Sequence, residues 1–132
     1  MENPNYEQIV SEAAKWLDGV EPGWYKKIDR KILNLSTYSD CIYGQLRGGY
    51  VEGLRYYKHF DELGAWKHFE AFTKTTFSAA VFRSHCESLT PHWLAEISAR
   101  LEADKRQAAK SAEAFIARTN EIINQSVEEV AR

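Results

Sequence analysis

The stretch Ser39–Gly53 reads S-D-C-I-Y-G-Q-L-R-G-G-Y-V-E-G and concentrates residue types that could do chemistry. It holds one of two cysteines, four of seven glycines and an arginine beside a Gly-Gly pair. A nucleophilic Cys41 would need a lowered thiol pKa and a base, for which His59 and His68 are available. No sequence pattern joins them, and Asp40 beside Cys41 disfavours a thiolate. A phosphate cradle would need the lysine and hydroxyl of a P-loop after a strand, and R-G-G-Y has neither. Metal ligation draws on His59, His68, His85, His92, Cys41 and Cys86, none of which forms a C-x-x-C or H-E-x-x-H signature. His85 and Cys86 are adjacent and so point to different faces of a helix, and Pro91 stands between His85 and His92. Glu128-Glu129 read as a solvated face. No residue nominates itself as catalytic, no cofactor or metal is expected, and the chain reads as non-enzymatic.

Placed on a helix, the same stretch is informative in another way. Cys41, Gly44, Gln45 and Gly48 fall at i, i+3, i+4 and i+7, a narrow stripe against which a second helix can approach. Ile42 and Leu46 flank it. Gly44 in a helix interior costs about 1 kcal/mol relative to Ala, so its presence points to backbone contact.

Helical periodicity dominates the rest of the chain. Tyr6, Ile9, Val10, Ala13 and Leu17 share a face, with Asn3 as the expected cap, Pro4 in the first turn and Gly19 as the close. A short helix is expected from Pro22 to Ile28, then a turn over R-K-I-L capped by Asp29. Ser36 or Ser39 is the next expected cap, for a helix Asp40–Arg47 that stops at Gly48-Gly49. Helices over Tyr50–Tyr57, Asp61–Phe72 and Ser78–Leu89 follow. Thr90-Pro91 reads as a start signal, a capping hydroxyl before proline at the first helical position.

From His92 to Arg132 there is no Gly or Pro, and Ala, Glu, Lys and Arg abound. Trp93, Leu94, Ile97 and Leu101 make one apolar patch. Phe115, Ile116, Ile122, Ile123, Val127 and Val130 make another, separated from the first by a polar stretch. Either the helix bends near Asp104–Lys110 and folds back, or it projects and buries the second patch against another subunit. The unbroken sequence favours the second outcome, which makes Phe115, Ile116, Ile122, Ile123 and Val127 the candidate oligomer interface. The expected architecture is all-α: about six helices, with an aromatic-rich body (residues 1–101) and the remainder (102–132) as part of a long C-terminal helix, in the same domain or as an oligomerisation arm.

The 132 residues suit one domain and are 44 % apolar and 13 % aromatic. The formal charge of −2 is evenly spread, which argues against nucleic-acid binding by charge alone. M-E-N-P-N-Y lacks a basic region followed by an apolar run, and no stretch approaches the ~18 apolar residues of a membrane span. A cytoplasmic protein is expected, with no membrane partner. Four tryptophans and seven tyrosines are more than a small helical core needs. Such residues are favoured at binding surfaces, where they combine area with one polar handle. Tyr43, Arg47, Tyr50, Arg55, Tyr56 and Lys58 form a local aromatic-basic cluster, the candidate site for a protein partner. The bland reading is that Tyr50 and Tyr57 face the core and the cations solvate the surface.

W-L-D-x-x-x-P-G-W (Trp16–Trp24), I-D (Ile28-Asp29), L-x-L-S (Leu33–Ser36), D-C-I-Y-G-Q-L-x-G-x-Y-x-x-G-L (Asp40–Leu54) and L-T-P-H-W-L-A-E-I (Leu89–Ile97) carry a resemblance. They resemble a group of small uncharacterised actinobacterial and actinophage proteins, to which no activity is assigned. The resemblance covers under half the chain, and residues 57–88 and those after Leu101 depart from it. It implies a phage or mobile-element origin and a bacterial host cytoplasm but carries no activity. Small phage proteins often act by binding a host protein, including defence proteins, and that analogy raises an inhibitor reading. The leading expectation is therefore a phage-type accessory protein that binds another protein. A nucleic-acid-associated regulator using Lys26, Lys27, Arg30, Lys31 and the Arg47–Lys58 cluster is the alternative, and a small hydrolase comes third.

Overall fold

A computed structural model describes residues 5–57, Glu62 and 79–131. Four α-helices and one 3-10 turn lie among them, and no strand. They are α1 (Tyr6–Val20), the 3-10 turn (Trp24–Lys27), α2 (Ile42–Arg47), α3 (Tyr50–Tyr56) and α4 (Ala79–Ala131). The chain divides into two compact units, Met1–Ser98 and Ala99–Arg132.

Among the described residues there are four α-helices, against about six expected for the chain. The helix expected over Pro22–Ile28 is the 3-10 turn Trp24–Lys27, and R-K-I-L is the expected turn, in which Asp29 Oδ1 accepts the Lys31 N–H at 2.9 Å. The segments expected over Ser78–Leu89 and from Pro91 onward are one helix of 53 residues, ~80 Å long at the standard rise. The helix expected over Asp61–Phe72 lies outside the described residues apart from Glu62.

Pro91 therefore sits inside a helix rather than opening one. Its ring removes one N–H and crowds the carbonyl four residues back, a cost of about 3 kcal/mol in isolation. The placement limits the damage, because Pro91 and Glu87, whose carbonyl loses its partner, are both exposed. On the opposite face His85, Cys86, Leu89, Trp93 and Ile97 are at most 2 % exposed and hold the helix through the defect. Thr90 does not cap a new helix, since its hydroxyl donates to the Cys86 carbonyl at 2.8 Å. Asp104–Lys110, the expected place for a bend, is helical throughout.

In α1, Ile9, Val10, Ala13, Ala14 and Leu17 are buried, the stripe that a 3.6-residue period predicts. Asn5 rather than Asn3 is its cap and accepts the Gln8 N–H at 3.1 Å. The helix passes through Gly19 and closes at Glu21. The core of the first unit joins this stripe to Trp24, Leu35, Ile42, Tyr43 and Tyr57 and to the buried face of α4. Trp24 and Trp93, both fully buried, meet edge to face with centroids 5.6 Å apart.

Candidate protein-binding face

The opening stretch proves to be a packing device of a different construction from the expected one. Cys41, not Ser36 or Ser39, caps α2, and its Sγ accepts the Gly44 N–H at 3.1 Å. The thiol is fully buried and faces the Tyr38 carbonyl at 3.7 Å. Burial first, and then the charge and hydrogen bond of the Glu62 carboxylate, push its pKa far above the ordinary thiol value. Cys41 is a neutral thiol near pH 7.

A Cβ on Gly44 would lie 2.5 Å from the Tyr38 carbonyl oxygen and 2.6 Å from the Ser39 carbonyl carbon. The close neighbour of Gly44 is thus the turn just before α2, not a second helix. The close helix–helix approach is at Gly53 of α3, where a Cβ would fall on the Tyr43 side chain of α2. Gly48 takes φ 86°, the left-handed conformation that lets the chain leave α2 and start α3 two residues later. Gln45 clasps the loop preceding α2: its Oε1 accepts the Asp29 N–H at 2.6 Å, and its Nε2 donates to the Asp29 and Asp40 carbonyls at 3.2 and 3.0 Å.

Glu62 is the residue that sequence reasoning missed. It is fully buried, its Oε2 accepts the Tyr43 N–H at 2.9 Å, and its carbonyl accepts Trp93 Nε1–H at 3.2 Å. One acidic residue so joins the first turn of α2, where negative charge is favoured, to the buried face of α4. In D-E-L-G it reads as a solvated side chain, and nothing local signals otherwise.

These supports bring the ends of three helices together. Arg47 closes α2, Glu21 follows α1 and Tyr57 follows α3. The Arg47 guanidinium pairs with Glu21 Oε2, and Arg47 Nε donates to the Tyr57 hydroxyl at 3.2 Å. That hydroxyl donates to Glu21 Oε2 at 3.0 Å, and Lys27 Nζ reaches Glu21 Oε1 at 2.9 Å. The guanidinium also lies 3.6 Å from the Tyr56 ring centroid, and Trp16 meets Tyr57 edge-on at 5.5 Å.

The electrostatics follow from this geometry. The hydrogen bond from Lys27 chiefly holds the Glu21 carboxyl below its ordinary value of 4.5; Tyr57 and the Arg47 charge act the same way, against desolvation. Desolvation, with Glu21 assisting and Arg47 opposing, pushes the Tyr57 hydroxyl up to about 12. A carboxyl whose folded pKa is depressed stabilises the fold fully above its unfolded pKa and loses that contribution as pH falls through the folded value. Between pH 5 and pH 3 the wild-type denaturation midpoint is therefore expected to fall more steeply than that of Glu21→Gln. Parallel curves would show that Glu21 does not couple folding to pH.

The six residues of the aromatic-basic cluster are placed unequally. Tyr43 is 1 % exposed and lies beneath the surface, stacked near Tyr50 and Tyr57. Tyr50 and Arg47 are half-buried, Arg55 is exposed, and Tyr56 is 59 % exposed. Lys58 lies outside the described residues, as do His59 and His68. Glu21 and Lys27 complete the cluster from separate elements and were not chosen for it from the sequence; Tyr57, which follows Tyr56 at the end of α3, was expected to face the core and is 2 % exposed. Of the basic residues named for nucleic acid, Lys27 is paired with Glu21, Arg30 Nη1 lies 3.3 Å from Ser98 Oγ, and Lys26 and Lys31 are exposed.

Elsewhere in the first unit, a cleft of about 420 Å³ lies beside Pro91, and its charged lining groups are Arg83 and Glu87. Among the described residues no three His, Cys, Asp or Glu side chains gather to hold a metal ion, and no helix is long and apolar enough to cross a membrane. In the second unit Phe115, Ile116, Ile122, Ile123, Val127 and Val130 are 52–88 % exposed. The chain matches no protein-family model, and neither the curated proteins nor the solved structures contain a significant match to it.

Proposed function

We propose that this is a non-catalytic binding protein of the phage accessory kind, which docks the face around Tyr56 onto another protein. One observation carries the reading: an exposed aromatic ring already held in place. Tyr56 is 59 % exposed, the Arg47 guanidinium covers its ring at 3.6 Å, and Glu21 and Tyr57 fix that guanidinium in turn. Binding normally costs the rotamer freedom of each anchoring side chain, and a ring restrained beforehand loses less. Tyr and Arg are also the residue types enriched where interfaces concentrate their energy.

The resemblance to actinobacterial and actinophage proteins supplies the proposed setting. The partner is a host protein, of the defence class, and the mechanism is steric occlusion. The nucleic-acid reading comes second because Glu21 engages both Lys27 and Arg47. It retains its own test, a salt-dependent mobility shift.

A host protein captured by the immobilised wild-type chain is expected to bind Tyr56→Ala at least ~30-fold more weakly, the effect of losing an anchor worth about 2 kcal/mol. Tryptophan fluorescence should report an unchanged fold. Equal capture by the two chains would refute this face as the docking site.

A further inference from the structure

We propose that residues 104–131 pair antiparallel with the same stretch of a second copy. This pairing goes beyond the partner-binding reading and uses none of the residues around Tyr56.

The first observation is a face built for burial. Ile116, Ile123 and Val130 recur at seven-residue spacing, flanked by Phe115, Ile122 and Val127, and all six are more than half exposed. The polar residues within the stripe are Thr119 and Ser126. Their hydroxyls donate to the carbonyls of Phe115 and Ile122, one turn back, at 2.9 and 3.1 Å. Each donor is thereby satisfied inside its own helix, so covering the stripe would leave no hydroxyl hydrogen without an acceptor.

The second observation selects the occupant and its direction. Residues 105–110 hold Lys105, Arg106 and Lys110 and no acid, whereas residues 119–131 hold Glu121, Glu128 and Glu129 and no cation. A parallel pair would set like charges level with each other. An antiparallel pair sets the basic stretch level with the acidic one, twice by symmetry.

Side-chain size agrees. Ala108, Ala109 and Ala112 precede the bulky residues of the stripe. A two-fold axis near residues 117 and 118 sets Ile123 against Ala112 of the second copy, Val127 against its Ala108 and Ile116 against its Thr119, so that large meets small at these positions, as interdigitated helices require, while Ala109 and Ser126 face each other as a small pair.

The full chain is expected to run at twice its 15.2 kDa mass in light scattering. Ile116→Lys with Ile123→Lys should return it to the monomer while helicity persists, because both side chains are exposed. Direction is read by oxidation. Ala109→Cys mixed with Ser126→Cys should cross-link, since facing seam positions come within disulfide reach, and neither variant alone should do so. The native Cys41 and Cys86 are buried and should leave the wild type uncross-linked. A wild-type monomer at every accessible concentration overturns the pairing, as does a dimer that survives the double lysine variant. Self-cross-linking of Ala109→Cys would establish a parallel pair instead. Adsorption of a monomer to anionic vesicles would assign the face to lipid, with the same consequence.

Discussion

Trp93→Ala is expected to cost about 3–5 kcal/mol, the range for deleting a large buried aromatic side chain. Trp93 is fully buried, meets Trp24 edge to face at 5.6 Å and donates Nε1–H to the Glu62 carbonyl at 3.2 Å. Truncation opens a cavity between α4 and the 3-10 turn, removes an aromatic pair and strips the Glu62 carbonyl of a donor. Domains of this size are stable by roughly 5–15 kcal/mol, so the loss approaches the whole. Trp93→Phe is the smaller step, since it keeps a ring against Trp24 but loses the N–H together with the second ring of the indole. It should cost about 1–3 kcal/mol, the penalty of a buried acceptor left unmade. Fluorescence is the right probe. All four tryptophans fall within residues 1–98, so their emission follows the first unit without interference from the helical signal of residues 99–131. An alanine variant that melts with the wild type would show that Trp93 does not hold α4 against the 3-10 turn.

The second large effect is Gly44→Ala, with an expected loss of about 3 kcal/mol, the upper end for overpacking. The sign is the informative part. Gly→Ala inside an exposed helix ordinarily stabilises by about 0.5–1 kcal/mol. At Gly44 the new methyl would press on backbone atoms of Tyr38 and Ser39, which cannot rotate away as a side chain can. Moving that turn disturbs the Tyr38 carbonyl, which accepts the Tyr50 N–H at 2.9 Å and so ties α3 to the turn. Gly19→Ala is the internal control. Gly19 lies inside α1 with nothing within 4 Å of a built Cβ, and that substitution should stabilise. If both alanines stabilise, the close approach at Gly44 is not a real constraint.

What was legible in the sequence follows how local each cause is. The buried stripe of α1 needs only a 3.6-residue period, and the stop at Gly48 needs only a residue that tolerates positive φ. The stop stood in the sequence as it stands in the fold, and so did the stripe, save that Tyr6 is half-buried and Ala14 joins it. Cys41 as a cap was not legible, because serines at 36 and 39 are stronger caps by type and only the burial of the thiol decides between them. Pro91 misled for the same kind of reason. Its local chemistry starts helices, and the burial of Cys86, Leu89, Trp93 and Ile97 around it overrides that preference. In the candidate site, Arg47 and Tyr56 were readable as a basic-aromatic pair on neighbouring short helices. Glu21 and Tyr57, which hold Arg47, were not, since a carboxylate at the end of one helix and a hydroxyl at the end of another meet only once the chain has folded.

The meeting of Trp24 with Trp93 also sets the order in which the molecule can form. Contacts such as Arg30 with Ser98 join residues 68 positions apart, so the core cannot close over α1 until nearly all of the first unit has been synthesised. Loop closure over such a span precedes its reward, which places the chain among slower folders than its helix content implies. Until residues 79–98 of α4 are in place, Trp24 and the buried stripe of α1 lack the face that covers them.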